Sequence, residues 1–327
     1  MLLYRKTDKK SNKSIIRLDF SKLEGVFMDY KSLYEGKDFG IIKFNEKLKN
    51  YTNFGIGGCA DVLVEVEDEY QLVDLIKFSK ANNIKTTIIG NGTNILVTDK
   101  GIRGCVIIIS KNYNRISVDG NLLKVSAGAL LSEASKFSFK NSLTGMEEVS
   151  GIPGTVGGAV AMNAGAYGVE MKDIIKSVKL ISRDGQIIEL SNQDMDFSYR
   201  HSKVFDDDLI VSEAIFELKE GNQEEINEKY NDFTNRRVTK QPLEKKSAGS
   251  TFKRPVGSYA SKLIDECGLR GYKKGDCQVS EKHCGFLINN GDATYNEMID
   301  FIEEVASIVF EKTGFKLERE VKVIGEK

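Results

Sequence analysis

No stretch of the sequence approaches the roughly 18 consecutive apolar residues that a membrane-spanning helix requires; the longest apolar run lies around residues 105–109. The basic start, with Arg5, Lys6, Lys9, Lys10 and Lys13, is not followed by an apolar segment of signal-peptide length. A cytoplasmic location without membrane insertion is therefore expected. Charge of one sign is also missing, since 47 basic and 48 acidic residues leave a net charge of -1. That balance provides no global field to attract nucleic acid, so an anionic ligand must be held by local groups. The five cysteines, at 59, 105, 267, 277 and 284, are odd in number and form no CxxC pair. That count argues against a disulfide framework, and buried free thiols are expected. Cys277, His283 and Cys284 lack both a fourth ligand and the spacing of a zinc site, so no metal is expected. Nothing in the sequence marks an oligomeric state.

What is present is a chain long enough to exceed one hydrophobic core. With 327 residues, 40% of them hydrophobic, two or three packed units and a cleft between them are expected. Residues 1–50 show no clear periodicity and read as a lead-in. Residues 51–220 form the next unit, in halves of about 51–110 and 111–220, and residues 221–327 form the last. Within the first half, alternation predicts a strand over 61–67. Asp68 caps a helix with Leu72, Val73, Leu75 and Ile76 apolar, and residues 86–89 read as a second strand. Asp119-Gly120 and Asp184-Gly185 sit between apolar strands as hairpin turns, and 209–218 reads as another strand. A helix is predicted over 223–240, with Ile226, Tyr230 and Phe233 on one face, ending before Pro242. Thr294 and Glu297 form a capping box for a helix with Met298, Ile302, Val305 and Val309 as its stripe and Gly314 as its stop. A final strand is predicted over 317–324.

Two loops are rich in glycine. The first, TTIIGNGTNILV at 86–97, places Gly90, Asn91, Gly92, Thr93 and Asn94 between apolar strands, the last of which starts at Ile95. Glycines allow consecutive backbone N–H groups to converge on an anion. The segment is not a Walker loop, because no Gly-Lys-Ser/Thr follows, and it lacks the third glycine of a dinucleotide fingerprint. The second, residues 151–168, carries glycine at six of eighteen positions, namely 151, 154, 157, 158, 165 and 168. That is about a third, against a usual frequency near 7%. So many positions without a Cβ suggest main chain lying directly against a flat or extended ligand.

Together with YTNFGIGG at 51–58, these segments resemble the FAD-binding segments of the UDP-N-acetylenolpyruvoylglucosamine reductase family, and the resemblance extends over about 50–327. It implies an α+β protein: a vanillyl-alcohol-oxidase-like (PCMH-type) FAD-binding fold of two α/β subdomains, followed by a C-terminal α+β substrate domain. It further implies that Thr52, Gly57, Gly90, Asn91, Gly92, Thr93, Asn94, Ile95, Gly151, Ile152, Pro153, Gly154, Gly157 and Gly158 bind FAD. Asn163, Gly165, Ala166 and Tyr167 are placed near the flavin. Residues 278–285, QVSEKHCG, resemble a motif of the family's shorter type, with Cys284 where a small residue such as alanine is more usual.

The catalytic roles also come from the resemblance. The family's Tyr-Arg-x-Ser motif falls on residues 199–202, which makes Arg200 the catalytic arginine and Tyr199 its substrate-side neighbour. Its Gly-Ser-x-Phe motif falls on 249–252 and makes Ser250 the proton donor. Period-2 alternation puts Glu318 and Glu320 on one side of the last strand and does not choose between them. The family's glutamate precedes a Val-basic-apolar-Ile-Gly tail, here residues 321–325, which selects Glu320. Arg237 and Lys240, at i and i+3 of one helix, resemble basic residues that bind the substrate diphosphate, and Lys253 joins the substrate-binding set. The implied reaction is NADPH-dependent reduction of UDP-N-acetylglucosamine enolpyruvate to UDP-N-acetylmuramate in peptidoglycan precursor synthesis. His201 and His283 lie outside the glycine loops, so FAD is expected to be non-covalent, with no histidyl linkage there. Two rival readings are another FAD oxidoreductase of the same fold and a non-catalytic nucleotide-sugar binding protein. A purified protein that stays colourless and takes up no FAD favours the second.

Overall fold

The computed structural model describes residues 28–327, so the basic stretch at 5–13 lies outside the described residues. The chain divides into a short unit ending at Glu35 and a body spanning Gly36–Lys327. The short unit carries α1 (Tyr30–Tyr34), capped by the Asp29 carboxylate, which accepts the Ser32 N–H.

The body opens on β1 (Ile41–Lys47), β2 (Cys59–Glu65), α2 (Glu69–Ala81), β3 (Thr86–Ile89), β4 (Ile95–Val97) and β5 (Ile102–Ile108). Four of these strands form a sheet in the order β1-β2-β5-β3, in which β2, β5 and β3 run parallel and β1 is antiparallel at the edge. Val62, Leu63 and Val64 are all buried, as expected where both faces of a parallel sheet are covered. The carboxylate of Asp68 accepts the Gln71 N–H at 2.9 Å and starts α2, whose Leu72, Leu75 and Ile76 turn inward. The expected helix and strand are thus present. The lead-in boundary at residue 50 is not where the sheet begins, because β1 falls inside it and pairs along its length with β2. Burial along 41–47 is partial and irregular, so no clean alternation revealed this edge strand to a periodicity reading.

A second sheet follows from β6 (Ile116–Asp119), β7 (Leu122–Ser126), α3 (Leu131–Lys140), β8 (Leu143–Thr144), α4 (Val156–Ala161), β9 (Gly165–Ala166), β10 (Val169–Glu170), α5 (Met171–Ile174), β11 (Ile175–Ile181), β12 (Ile187–Ser191), α6 (Lys203–Asp206), β13 (Ile210–Glu217) and β14 (Lys219–Glu220). Its order is β12-β11-β13-β7-β6, antiparallel throughout. The Asp119-Gly120 and Asp184-Gly185 turns each join paired neighbours, as their sequences dictate. β9 and β10 form a separate small hairpin at the end of the glycine-rich segment.

The remaining elements are α7 (Gln223–Lys240), α8 (Ala260–Glu266), β15 (Lys273–Lys274), β16 (Cys277–Val279), β17 (Leu287–Asn289), α9 (Tyr295–Thr313) and β18 (Lys322–Ile324). α7 covers the span read from the sequence and packs back on α3, with Tyr230 against Phe139 at 5.5 Å between ring centroids. In α9 the Thr294 hydroxyl and the Glu297 side chain cap each other's backbone, and Gly314 ends the helix at φ +74°. Its stripe of Met298, Ile302, Val305 and Val309 joins Leu263, Ile264 and Leu287 in one core, which also takes in Phe54, Ile56 and Leu96 from the chain before β5.

The last strand is shorter than the sequence predicts. Only residues 322–324 pair, parallel to β4, whereas 317–321 runs irregularly beside 251–253 through the Phe252–Arg319 bridge. A change of pairing partner interrupts the strand. The Lys253 N–H donates to the Glu318 carbonyl (2.8 Å), the Glu320 N–H to the Thr251 carbonyl (2.9 Å), and only then does the Lys322 N–H reach the Asn94 carbonyl (3.0 Å). The chain end therefore stitches residues near Ser250 to the first glycine loop.

Candidate active site

The two glycine-rich loops face each other. The Asn91 side chain donates to the Pro153 carbonyl at 2.8 Å, a Cβ on Gly90 would overlap the Thr155 hydroxyl, and one on Gly154 would lie 3.5 Å from the Thr93 hydroxyl. Gly92 adopts φ +63°, and a Cβ there would overlap the Tyr51 carbonyl oxygen. Tyr51 is itself fixed, because Lys43 donates to its hydroxyl (2.8 Å) and to the Glu65 carboxylate (2.7 Å). Glu65 pushes the Lys43 ammonium up from its ordinary value. Among the described residues, the backbone N–H groups of 90–94, Gly154 and Thr155 donate to no protein acceptor. A run of unsatisfied amides on a loop pinned from both sides suits an extended anion such as a pyrophosphate. Gly92→Ala is expected to lose bound FAD and to lower the melting temperature, since strain at positive φ, typically about 1–3 kcal/mol, adds to the overlap. Unchanged flavin content after purification would contradict this.

Several other expected cofactor residues are engaged within the protein and stand outside the cleft lining. Thr52 is buried, and its hydroxyl bonds both the carbonyl (2.9 Å) and the N–H (3.2 Å) of Ile56. Gly57 lies against Val97, and Ile95 opens β4 opposite Lys322. The Ile152 N–H donates to the Val149 carbonyl (3.0 Å), while the Gly158 N–H meets the Thr155 hydroxyl (3.3 Å) and Gly157 donates to the Ala127 carbonyl (2.8 Å). Asn163 is fully buried at φ +39°. Its amide donates to Glu170 (3.1 Å) and to the Ser198 carbonyl (3.0 Å) and accepts the Lys172 N–H (3.0 Å). Both amide protons are spent on the protein, so Asn163 shapes the site by tying the glycine-rich segment to the turn that follows Ser198.

That turn is a tight hairpin. Ser198 and His201 exchange backbone hydrogen bonds of 3.1 and 3.2 Å, which leaves Tyr199 and Arg200 at its tip. Arg200 sits at φ +58°, an unusual conformation for a residue with a Cβ, at a typical cost of about 1–3 kcal/mol. Its Nε donates to Glu320 at 2.7 Å, and its guanidinium lies 4.7 Å from the Tyr199 ring centroid. The Tyr199 hydroxyl accepts the Arg254 N–H (3.1 Å). Ser250 precedes Thr251, which is held by the Gly285 carbonyl and by the Glu320 N–H. The Ser250 side chain is exposed and makes no hydrogen bond among the described residues. Arg200, Ser250 and Glu320, separate in sequence, line one cleft of about 610 Å³, together with Gly165, Ala166, Tyr167 and Tyr199.

The remaining expected residues divide. Lys253 pairs with Glu318 at 3.4 Å, outside the cleft lining, so the two glutamates that alternation could not separate part company: Glu318 faces a surface lysine and Glu320 faces Arg200. Lys240 is exposed at the end of α7 and also stands outside the lining. Arg237 lies against Gly151 of the second glycine loop instead of the cleft wall. The cleft also includes Arg254, Tyr259, Lys172 and His283, which the sequence did not single out. Arg254 stacks on Tyr259 at 4.1 Å, and neither occupies a patterned position that sequence could flag. His283 has its basicity lowered by burial and its Nδ1 accepts the Gly285 N–H at 3.1 Å. Cys284 beside it is buried, and burial pushes its thiol up to about 11. A thiol so seldom deprotonated is a poor target for oxidation.

Residues 60–191 match the FAD binding domain, and residues 241–324 match the UDP-N-acetylenolpyruvoylglucosamine reductase C-terminal domain. The UDP-N-acetylenolpyruvoylglucosamine reductase of Clostridioides difficile (strain 630) is 50% identical over 87% of this chain and 94% of its own length. The chain belongs to the UDP-N-acetylenolpyruvoylglucosamine reductase family. The reductase of Caldanaerobacter subterraneus subsp. tengcongensis is 48% identical over 88% of this chain and 95% of its own. The crystal structure of UDP-N-acetylenolpyruvylglucosamine reductase from Thermus caldophilus superposes with a TM-score of 0.74 at 34% identity, covering 86% of this chain and 98% of that one. As a member of this reductase family the chain is an FAD-dependent oxidoreductase of peptidoglycan precursor synthesis, with the α+β fold expected for it. No helix among the described residues is long and apolar enough to cross a membrane.

Proposed function

We propose that the protein reduces UDP-N-acetylglucosamine enolpyruvate to UDP-N-acetylmuramate in the cytoplasm with NADPH as co-substrate and non-covalent FAD. The observation that carries this reading is the single cleft walled by Arg200, Ser250 and Glu320 beside the glycine-rich segment at 165–167. Residues 90–94 and 151–158 would hold the pyrophosphate of FAD, through the unsatisfied amides of 90–94, Gly154 and Thr155, with Thr52, Gly57, Ile95 and Asn163 supporting the surrounding walls. Gly165, Ala166 and Tyr167 would lie beside the flavin. When bound, FAD would supply the hydride chemistry, between NADPH and the terminal methylene carbon of the enolpyruvyl group.

The side chains account for the rest of the conversion. Hydride arrival at the methylene carbon moves the C=C electron pair onto the ether-bearing carbon and its carboxylate. Arg200, always cationic, meets that developing charge, and a preorganised donor of this kind is typically worth about 10² to 10³ in rate. Glu320 takes the Nε of Arg200 at 2.7 Å and so orients the guanidinium, leaving its terminal nitrogens for the substrate. Ser250 gives its hydroxyl proton to the ether-bearing carbon, completing the lactyl group. Its exposure allows water to restore the proton. Tyr199 flanks the same anion, and Lys253 and Lys240 provide positive charge near the sugar nucleotide.

The test is anaerobic stopped-flow absorbance at the flavin band, with NADPH first and the enolpyruvyl sugar nucleotide second. Bleaching followed by recovery on the second addition is expected, and acid-denatured protein should release free FAD. Bleaching without recovery sinks the substrate assignment, and flavin retained in the precipitate sinks the non-covalent one.

A further inference from the structure

α7 presents two arginines side by side with opposite surroundings. Arg236 is paired with Asp232 at 2.6 Å and lies over Phe233, in the usual manner of an exposed helical arginine. The Arg237 side chain forms no ion pair and no hydrogen bond among the described residues, while its backbone carbonyl accepts the Gln241 N–H at 2.9 Å. It is nonetheless half-buried, and burial lowers its guanidinium from the ordinary arginine value. An unpaired, partly desolvated cation is unfavourable in the protein alone, so its retention points to a ligand group that completes it.

The position of Arg237 identifies which ligand. A Cβ on Gly151 would lie 2.8 Å from Arg237 Cδ and 3.1 Å from its Nη1, so the glycine leaves just enough room for the arginine to lie against the second glycine loop. One turn earlier on the same face of α7, Phe233 stacks with Tyr167 at 4.7 Å between centroids, and Tyr167 belongs to the segment beside the cleft. The helix face carrying Phe233 and Arg237 is thus applied to the glycine-rich segment at two points. Arg237 does not line the cleft that holds Arg200, Ser250 and Glu320. Resemblance alone gave Arg237 to the substrate diphosphate, and its surroundings point elsewhere.

We infer that Arg237 is a cofactor-side residue, whose guanidinium serves an electron-rich oxygen of bound FAD and not the sugar nucleotide. The inference rests on the reading of 151–168 as FAD-binding main chain. The shared chemistry, an anionic or strongly accepting oxygen, is offered by two parts of FAD, the pyrophosphate and the carbonyl edge of the ring.

The experiment strips FAD from the wild type, Arg237→Met and Arg237→Lys, and titrates FAD back while following flavin fluorescence. Melting of the stripped proteins and KM for the enolpyruvyl sugar nucleotide at saturating FAD are measured alongside. Arg237→Met is expected to bind FAD about 10- to 100-fold more weakly, the loss typical of a charge-assisted hydrogen bond. Arg237→Lys should fall between the two, and the stripped Met variant should melt no lower than stripped wild type, because it loses an unpaired charge. A reduction potential that falls in reconstituted Arg237→Met assigns the ring edge, whereas weaker binding at unchanged potential assigns the pyrophosphate. Unchanged FAD affinity with a raised KM overturns the inference in favour of the substrate diphosphate. Unchanged affinity with a lower melting temperature overturns it in favour of helix packing. Wild-type protein that takes up no FAD instead refutes the underlying reading of the loops.

Discussion

Ser250→Ala leaves NADPH able to bleach the flavin but slows reoxidation by the enolpyruvyl sugar nucleotide by about 10² to 10⁴, the usual contribution of a positioned general acid. The expectation follows from the separation of tasks in the cleft. Ser250 stands at the cleft wall, with Thr251 fixed behind it by Gly285 and Glu320, and its hydroxyl makes no bond among the described residues that its loss would break. Folding should therefore be nearly unaffected, because an exposed serine with no partner contributes little to stability. Double-mixing stopped flow separates the two half-reactions. A variant that turns over at the wild-type rate shows that Ser250 is not the acid.

Arg200→Lys is expected to reduce the second half-reaction by about 10² to 10³, the range for removing one preorganised donor to a developing anion. Lysine keeps the positive charge, so the loss measures geometry. The guanidinium engages Glu320 through Nε while its terminal nitrogens stay available, a division of donors that a single ammonium cannot reproduce. The left-handed backbone at φ +58° costs a lysine as much as an arginine, so the melting temperature should move little. A small effect on turnover, with a large one on stability, would instead make the Arg200–Glu320 pair a structural clamp.

The strain at Arg200 bears on why the site was only partly visible in advance. Helices and hairpins here follow local rules. Asp68 and Thr294 cap α2 and α9, Gly314 stops α9, and two Asp-Gly turns join adjacent strands, because each of these depends on residues within a few positions of one another. β1 was missed because its burial is partial and irregular, so no clean alternation marks it. The last strand was overextended, since its apolar and charged alternation continues through a point where the pairing partner changes from 251–253 to β4.

The sequence by itself determined a chain with no spanning segment, near-zero net charge and two glycine-rich loops, which together with residues 51–58 carry its resemblance to a reductase family and, through it, the expected roles of Arg200, Ser250 and Glu320. Tertiary structure alone decided the rest. It brought residues 200, 250 and 320 to one cleft, separated Glu320 from Glu318 by their partners, committed Asn163 to internal hydrogen bonds and set Arg237 against Gly151. The physical reason is range. Capping and turn formation are settled by neighbours along the chain, whereas the partner of a charge or an amide is settled by which distant segment the core presses against it.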